Sequence, residues 1–408
     1  MGGKEKNIIL VATLDTKSAE AAYLKDLINK RGHRAFVIDA GILGEPAFKP
    51  EITNEEVAKA AGSRIEEIQN LGSEGEAMAC MVRGVSAILN DLHSEGKMDG
   101  IIAFGGTMGT SLGLGIMRPL PMDIPKLMLS SIAFTSMVHP ESVSIDQTMM
   151  QTVSDLWGLN YITRMVLERA AGAICGMVEE QKKWGTKDKQ IVAVTTLGVH
   201  YYADLCQKLL AKGGYEPVVF HAMGTNACEK LIRQGYIHGL LDLSIYELVN
   251  YVCNGAVGGG EDKITAATET GIPQVVAPGG LDFFTWAGQR DTLPPHLQGR
   301  KTHMHNPLVC LVQSSAEEKE EVAHLMAERL NRAKETAVVL VPLRGFSSMD
   351  PVGKPFHVAD AARVFTENIK KGLKNRLVEI IEIDAHINDT AFAEKATNLL
   401  LEMMTILH

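Results

Sequence analysis

The chain has 408 residues, 46% of them hydrophobic and 22% charged. That is close to average globular usage and excludes a disordered or collagen-like chain. At roughly 100–200 residues per domain the length predicts two or three domains. The net charge of −9 comes with no run of Lys and Arg of the kind a nucleic-acid surface needs. The densest positive stretch, Lys182, Lys183, Lys187 and Lys189, reads as a solvated linker. No apolar run reaches the roughly 18 residues of a membrane helix, so neither a bilayer nor a nucleic acid is expected as a partner. The cysteines, Cys80, Cys175, Cys206, Cys228, Cys253 and Cys310, are far apart with no CxxC pair, which fits reduced thiols. The opening MGGKEKNIILVA has no long apolar core of a secretory signal. Together these features predict a cytoplasmic protein.

Along the chain, short apolar runs alternate with amphipathic stretches, the pattern of buried parallel strands and crossover helices. Strands are predicted at 7–14, 35–39, 100–104 and 125–129, with helices at 18–30, 76–95 and 110–117. Thr53-Asn54-Glu55-Glu56 has the spacing of a capping box. Residues 148–183 are free of proline and read as one long helix, with 185–189 as a linker. The pattern then restarts. Strands are predicted at 191–197, 217–221, 238–243 and 274–277, with helices near 202–212 and 226–234. ILVATLDTK near the start matches VAVTTLGVH after 191, and IPKLMLSS matches IPQVVAPGG, as an internal duplication would. Strands at 308–312, 337–341 and 377–381 and helices at 316–333, 360–371 and 391–407 follow. The fold class is therefore α/β, two Rossmann-like doubly wound halves with mostly parallel sheets and a cleft between them. The predicted division is an N-terminal nucleotide-binding domain with its helical linker over 1–185 and a C-terminal Rossmann-like domain over 186–408.

In open α/β sheets, ligands sit beyond the carboxyl ends of the strands, near the switch in strand order. In the first half those ends carry Asp15, Thr16 and Lys17, then Asp39, then Gly105, Gly106, Thr107, Gly109 and Thr110, then Ser130 and Ser131. Glycine lets backbone come close to a ligand, and free amides with a positive dipole suit a helix start to phosphate. Lys17 adds a point charge. Four such turns together predict a nucleotide or anion site, although each alone could be a tight turn or, at Asp15, an N-cap. There is no Gly-x-x-x-x-Gly-Lys-Ser/Thr, no strict Gly-x-Gly-x-x-Gly and no His-Glu-x-x-His, so neither a P-loop, nor a nicotinamide fingerprint, nor a zinc protease is indicated.

The second half offers an equivalent set: His221, Gly224 and Thr225, then Gly259, Gly260 and Lys263, then Gly279. His221 could act as acid, base or donor, or simply cap its turn. His303 and His305 fall on one face of an extended segment, with His296 nearby, but no carboxylate or thiol has matching spacing, so no metal is expected. His305 and Asn306 are assigned instead to a loop entering the cleft, and His386, after a late strand, to its far side.

These phrases give the chain a family likeness. VATLDTK at 11–17, GGTMGTSLG at 105–113, PKLMLS at 125–130, GYEPVVFHAMGT at 214–225, GIPQVVAPGGLD at 271–282, HNP at 305–307 and DAHINDTAFA at 384–393 resemble the bacterial proteins similar to the N-terminal ATP-binding domain of the tomato protein conferring resistance to tobamovirus. The resemblance covers almost the whole chain. It implies two Rossmann-like halves, ATP as ligand with the role of Mg²⁺ open, and self-association into a homo-oligomer. It places the nucleotide contacts on Asp15, Thr16, Lys17, Gly105, Gly106, Thr107, Thr110, Ser130 and Ser131. The chain departs from the family pattern where Gly258-Gly259-Gly260-Glu261-Asp262-Lys263 replaces a Ser-Ala-Gly-Pro-x-Arg run, and where Gln313-Ser314-Ser315 replaces Arg-Thr-Thr. Lys263 cannot grip an anion bidentately as Arg does. Three functions remain open: an ATP-binding enzyme acting on a small acid or sugar-like metabolite, a non-catalytic nucleotide-sensing or scaffolding module that binds a protein, and a sugar-nucleotide transferase.

Overall fold

The computed structural model describes residues 4–180, 189–224 and 226–406. Thr225 and the predicted linker residues Lys182, Lys183 and Lys187 lie outside them. The chain divides into two compact units, Met1–Gly185 and Thr186–His408. Among the described residues no helix is long and apolar enough to cross a membrane.

The first unit runs β1 (Asn7–Ala12), α1 (Leu14–Lys30), β2 (Arg34–Asp39), α2 (Asn54–Ala60), α3 (Ile65–Gln69), α4 (Glu74–Ser94), β3 (Gly100–Gly105), α5 (Thr107–Met117), β4 (Lys126–Ser130), β5 (Gln147–Gln151) and α6 (Tyr161–Glu179). Its five strands are parallel in the order β2-β1-β3-β4-β5. Strand side chains alternate between faces, and the core divides accordingly. Ile8, Leu10, Ile102 and Leu127 pack under α1 and α6, whereas Ile9, Val11, Ile101 and Met128 pack under α2, α4 and α5. With helices on both faces the strands need no polar side, which is why they read as unbroken apolar runs. The capping box at Thr53 and Glu56 is present and starts α2. Ser73 accepts from the Glu76 amide and starts α4, which buries Ala77, Met78, Met81, Val85 and Leu89 on one stripe.

The continuous helix expected over 148–183 is not found. Residues 147–151 form β5 and extend the sheet from the exposed edge of β4, with Lys126 opposite Gln147 and Ser130 opposite Gln151. The chain then turns through Val153 (φ +67°) and Gly158 (φ +74°). Asn160 accepts from the amides of Ile162 and Thr163, so α6 starts only at Tyr161. Ladder bonds to a free edge outweighed helical periodicity, and an N-cap fixed the helix start.

The second unit runs β6 (Ile191–Thr196), α7 (Ala203–Lys212), β7 (Glu216–His221), α8 (Ala227–Arg233), β8 (Gly239–Ser244), α9 (Tyr246–Val252), α10 (Thr265–Thr270), β9 (Gln274–Gly279), β10 (Phe283–Ala287), β11 (Thr302–Asn306), β12 (Val309–Gln313), α11 (Ala316–Leu330), β13 (Ala337–Pro342), α12 (Ala361–Gly372), β14 (Val378–Ile383) and α13 (Thr390–Ile406). Six strands form a parallel sheet in the order β14-β13-β9-β8-β6-β7. The first four strands of each unit thus share one spatial order, 2-1-3-4, in keeping with the restart seen in sequence. Strands β10, β12 and β11 leave the main sheet and form a separate antiparallel one.

Candidate functional site

In the first unit the switch in strand order falls between β1 and β3. Side-chain to backbone bonds tie the turns there. Asp39 is buried, and its Oδ1 accepts from the amides of Leu14 (3.0 Å) and Gly41 (2.8 Å). Burial pushes its carboxyl up, and those two amides pull against the rise. Asp15 Oδ2 accepts from the amides of Ile42 (3.0 Å) and Leu43 (2.8 Å). Both carboxylates therefore brace the ends of β1 and β2 against each other.

The turn from β3 into α5 uses its glycines in two ways. A Cβ on Gly105 would lie 2.8 Å from Gly109 Cα, and one on Gly109 would lie 2.9 Å from the Phe104 carbonyl oxygen. These two let helix and strand touch. A Cβ on Gly106 would meet nothing nearer than Ser131 Oγ at 3.8 Å, so that backbone faces open space. Thr107 beside it is exposed. The first amides of α5 have no intrahelical acceptor. Thr110 and Ser130, in contrast, are buried and bond each other at 2.7 Å; Ser130 also accepts from the Ile132 amide. They hold β4 to α5, and Thr110 lines, with Thr107, a separate cavity of about 360 Å³. Lys17 sits at a break in helical geometry (φ −126°, ψ 21°), with Nζ 5.2 Å from the ring centre of exposed Trp157.

A cavity of about 480 Å³ opens beside these turns, within the usual range of ligand pockets. Thr13, Asp15 and Thr16 line it after β1, Ile42 and Leu43 after β2, and Met108 at the start of α5. Leu71, Ser73, Ala77 and Met78 close the other wall. Leu71, Ala77 and Met78 were not legible as lining residues, since they carry no strand-end signal. Gly109 to Gly113 also spell Gly-x-Ser-x-Gly. Its Ser111 stands inside α5 rather than at the strand-to-helix elbow, so it is not a nucleophile elbow. Burial pushes the thiols of Cys175 and Cys206 up to about 11, which makes neither a poised nucleophile.

In the second unit the glycine turns pack on each other. A Cβ on Gly224 (φ +81°) would meet Gly258 at 2.7 Å, one on Gly259 would meet Asn226 Oδ1 at 2.4 Å, and one on Gly260 would meet the Glu247 carbonyl oxygen at 2.3 Å. Below them lies a buried ionic cluster. Lys263 Nζ is 2.8 Å from Asp242 Oδ1, 3.4 Å from Glu247 Oε2 and 3.9 Å from Glu229 Oε1. Thr195 donates to Asp242 Oδ1 at 2.8 Å. Burial pulls the ammonium down, but the three carboxylates outweigh it and hold Lys263 charged. Burial pushes Glu229 up to about 7 and Glu247 upward, with Lys263 opposing both. Lys263 was expected to face an anion in a cleft. It is 2% exposed and its charge is already matched, so it does not serve that role.

A second cluster lies beyond the carboxyl ends of β6, β9, β13 and β14. His200 Nε2 donates to the Phe346 carbonyl at 3.0 Å, and burial pulls its pKa down to about 4. His386 Nε2 donates to the Ser347 carbonyl (3.0 Å) and lies 3.3 Å from Asp350 Oδ1. Its Nδ1 accepts from the Asn388 amide. With both nitrogens engaged, His386 orients loops. A Cβ on Gly279 would reach His200 Cε1 at 3.1 Å, so Gly279 belongs to this cluster. Ser347 donates to Asp282 Oδ2 at 2.7 Å, and Asp282 Oδ1 has no protein partner among the described residues. Burial, reinforced by Asp350, pushes Asp282 up to about 8. Ser347 and Asp350 were not singled out from sequence, whereas the turns that end in His200 and Asp282 were. His221, His303, His305 and Asn306 do not join either cluster. His221 is exposed at the end of edge strand β7. His303, His305 and Asn306 are exposed on β11, the outer strand of the small sheet, where Asn306 caps its own hairpin by accepting from the Leu308 amide.

A UPF0261 protein of Clostridium tetani is 37% identical over 98% of this chain and 99% of its own length. The tomato (Solanum lycopersicum) ToMV susceptible protein tm-1(GCR26) is 34% identical over 81% of this chain and 45% of its own length. A Streptomyces glycosyltransferase solved with thymidine diphosphate covers 98% of this chain and 96% of its own, at 12% identity and a TM-score of 0.20, a score that carries no functional argument. Residues 6–183 match the N-terminal domain, and residues 189–404 the C-terminal domain, of the uncharacterised protein family UPF0261. The chain therefore belongs to that family, and its likeness to the tomato protein, read from scattered motifs, is shown across most of its length.

Proposed function

We propose that the first unit binds an adenine nucleotide, ATP, and that the protein uses it on a small acid or sugar-like metabolite. The observation that carries this reading is the pairing of an open helix start at Gly106 and Thr107 with a cavity of about 480 Å³ whose lining includes Met108, the next residue. The residues fit the group. Ile42, Leu43, Leu71 and Met78 offer apolar walls for a base, and the first amides of α5 offer donors for phosphate. Thr107 adds a hydroxyl, and Lys17 adds a positive charge. When bound, ATP would supply a transferable phosphoryl group; the chain's own residues bind and orient it.

One observation favours a second reading, a non-catalytic nucleotide-sensing module. The carboxylates nearest the turns, Asp15 and Asp39, already accept from backbone amides, so neither stands ready as a general base.

Calorimetric titration with ATP, with and without Mg²⁺, tests the proposal. At a hundredfold excess over the dissociation constant, ATP should stabilise the protein by about 2.7 kcal/mol. No heat and no thermal shift at millimolar ATP would remove it, and preference for a UDP-sugar would replace it with the transferase reading. Gly106→Val should abolish binding with the fold kept, because the nearest atom to the new Cβ is 3.8 Å away. Lys17→Ala should weaken binding by about 1.5–3 kcal/mol if its ammonium meets a phosphate; an unchanged affinity would leave it as a partner of Trp157 alone. ATP bound but unchanged with every small acid and sugar offered would select the sensing module.

A further inference from the structure

We propose that the second unit carries a basin for a small polyanion, a molecule with two or more phosphate or carboxylate groups. Arg290, Arg300, Lys301 and Lys354 line one cavity of about 830 Å³, in a chain of net charge −9. The fold gathers them from separated segments. Arg290 opens a 3-10 turn, Arg300 and Lys301 lead into β11, and Lys354 lies in the loop between β13 and α12.

The four cations differ. Arg300 is anchored: its Nη1 contacts Glu318 at 2.7 and 2.9 Å, and its guanidinium lies 5.9 Å from the ring centre of Phe284. Its charge is matched in place. Arg290, Lys301 and Lys354 are exposed, and among the described residues no carboxylate lies within 4 Å of any of them. Asp291 shares the turn with Arg290 and pairs with none of them. Three unmatched positive charges facing one concavity repel each other, and an anion there relieves that repulsion. The turn tips add access. Gly299 (φ +85°) and Gly353 (φ +84°) take left-handed backbone that favours glycine, and a Cβ on either would meet nothing within 4 Å.

Size and shape select the ligand class. The volume falls in the range of small-molecule pockets and exceeds the needs of a single inorganic ion. The charges converge on a basin, whereas a nucleic acid wants a groove that tracks its backbone with stacking aromatics. The Arg290 fork suits bidentate contact with phosphate or carboxylate, and the two lysines act as point charges.

The test uses the full chain carrying Gly106→Val, so that the nucleotide site proposed above cannot contribute and the two readings fail separately. Inorganic tripolyphosphate and citrate are titrated in parallel, and the tighter probe assigns the source as phosphate or carboxylate. The double variant Arg290→Ala/Lys354→Ala should weaken the tighter probe by about tenfold or more per charge removed and leave the melting temperature unchanged, since both side chains are exposed. The control Arg332→Ala/Arg363→Ala removes the same charge from exposed positions outside the basin and should leave affinity within about twofold, beyond the general screening effect. No binding of either probe would overturn the proposal. So would equal losses in the control, or a single-stranded oligonucleotide that binds more tightly than both probes and is lost with the same double variant.

Discussion

Replacing Lys263 with methionine is expected to destabilise the second unit by about 3–5 kcal/mol, the effect of removing one partner from a buried ion pair. The reason is the count of charges around it. Asp242, Glu247 and Glu229 all point at one ammonium, and all four residues are buried. Asp242 Oδ2 and Glu247 Oε2 already lack a hydrogen-bond donor among the described residues, and a neutral hydroxyl such as that of Thr195 cannot replace the lysine's charge. Without the cation, the carboxylates must hold protons. The carboxyls of Glu229 and Glu247, already raised by burial, then rise further above the unfolded value, and such acids lose stability as pH rises. The variant should therefore recover part of its loss on acidification, with the deficit largest above pH 7, where Glu229 is ionised even in the native chain. Urea denaturation at pH 5.5 and pH 8 reads both effects. A loss below about 1 kcal/mol at pH 8 would show that the cluster is solvated and not the buried charge pair described above.

Asp282 gives the second large effect, a loss of stability as pH rises. In the native state burial raises its pKa to about 8, against an ordinary value of 3.8. Between those two values the folded chain keeps a proton that the unfolded chain has released. Stability therefore falls as pH climbs from about 4 to about 8, and the contribution is flat outside that window. Glu229, raised to about 7, adds the same sign over a narrower window. Asp282→Asn removes the titration while an amide oxygen can still accept from Ser347. The variant should match the wild type near pH 4.5, exceed its melting temperature at pH 8, and show a flatter profile between. Parallel profiles for the two proteins would mean that Asp282 is ionised when folded.

Much of the framework was legible because burial on both faces leaves a simple signature. Ile8 to Val11 and Ile101 to Phe104 are apolar without interruption because helices cover both sides of their strands. Helix starts were legible where a side chain satisfies the first amides, as at Thr53 with Glu56. Strand β5 was not legible: Gln147 and Gln151 flank Thr148, Met149 and Met150, and only pairing with β4 makes that segment a strand. The candidate sites divide the same way. Gly105, Gly106 and Gly109 announced a tight turn, but which glycine serves packing and which faces space depends on where Ser131 and the Phe104 carbonyl lie. The ionic cluster draws Glu229, Asp242, Glu247 and Lys263 from three helices' neighbourhoods and a strand, and the basic basin draws Arg290 and Lys354 across an intervening helix and three strands. Contacts of that kind arise from topology, and no local spacing encodes them.

The elbow between β3 and α5 has a consequence for how relatives of this chain can diverge. Positions 105 and 109 are closed to any side chain by backbone on the facing element, whereas position 106 is roomy. A descendant could therefore acquire alanine or valine at 106 and keep its architecture intact. Under the nucleotide proposal, such a chain would mark a lineage that has abandoned the cofactor while retaining the scaffold, and the identity of a single residue would sort working members from retired ones.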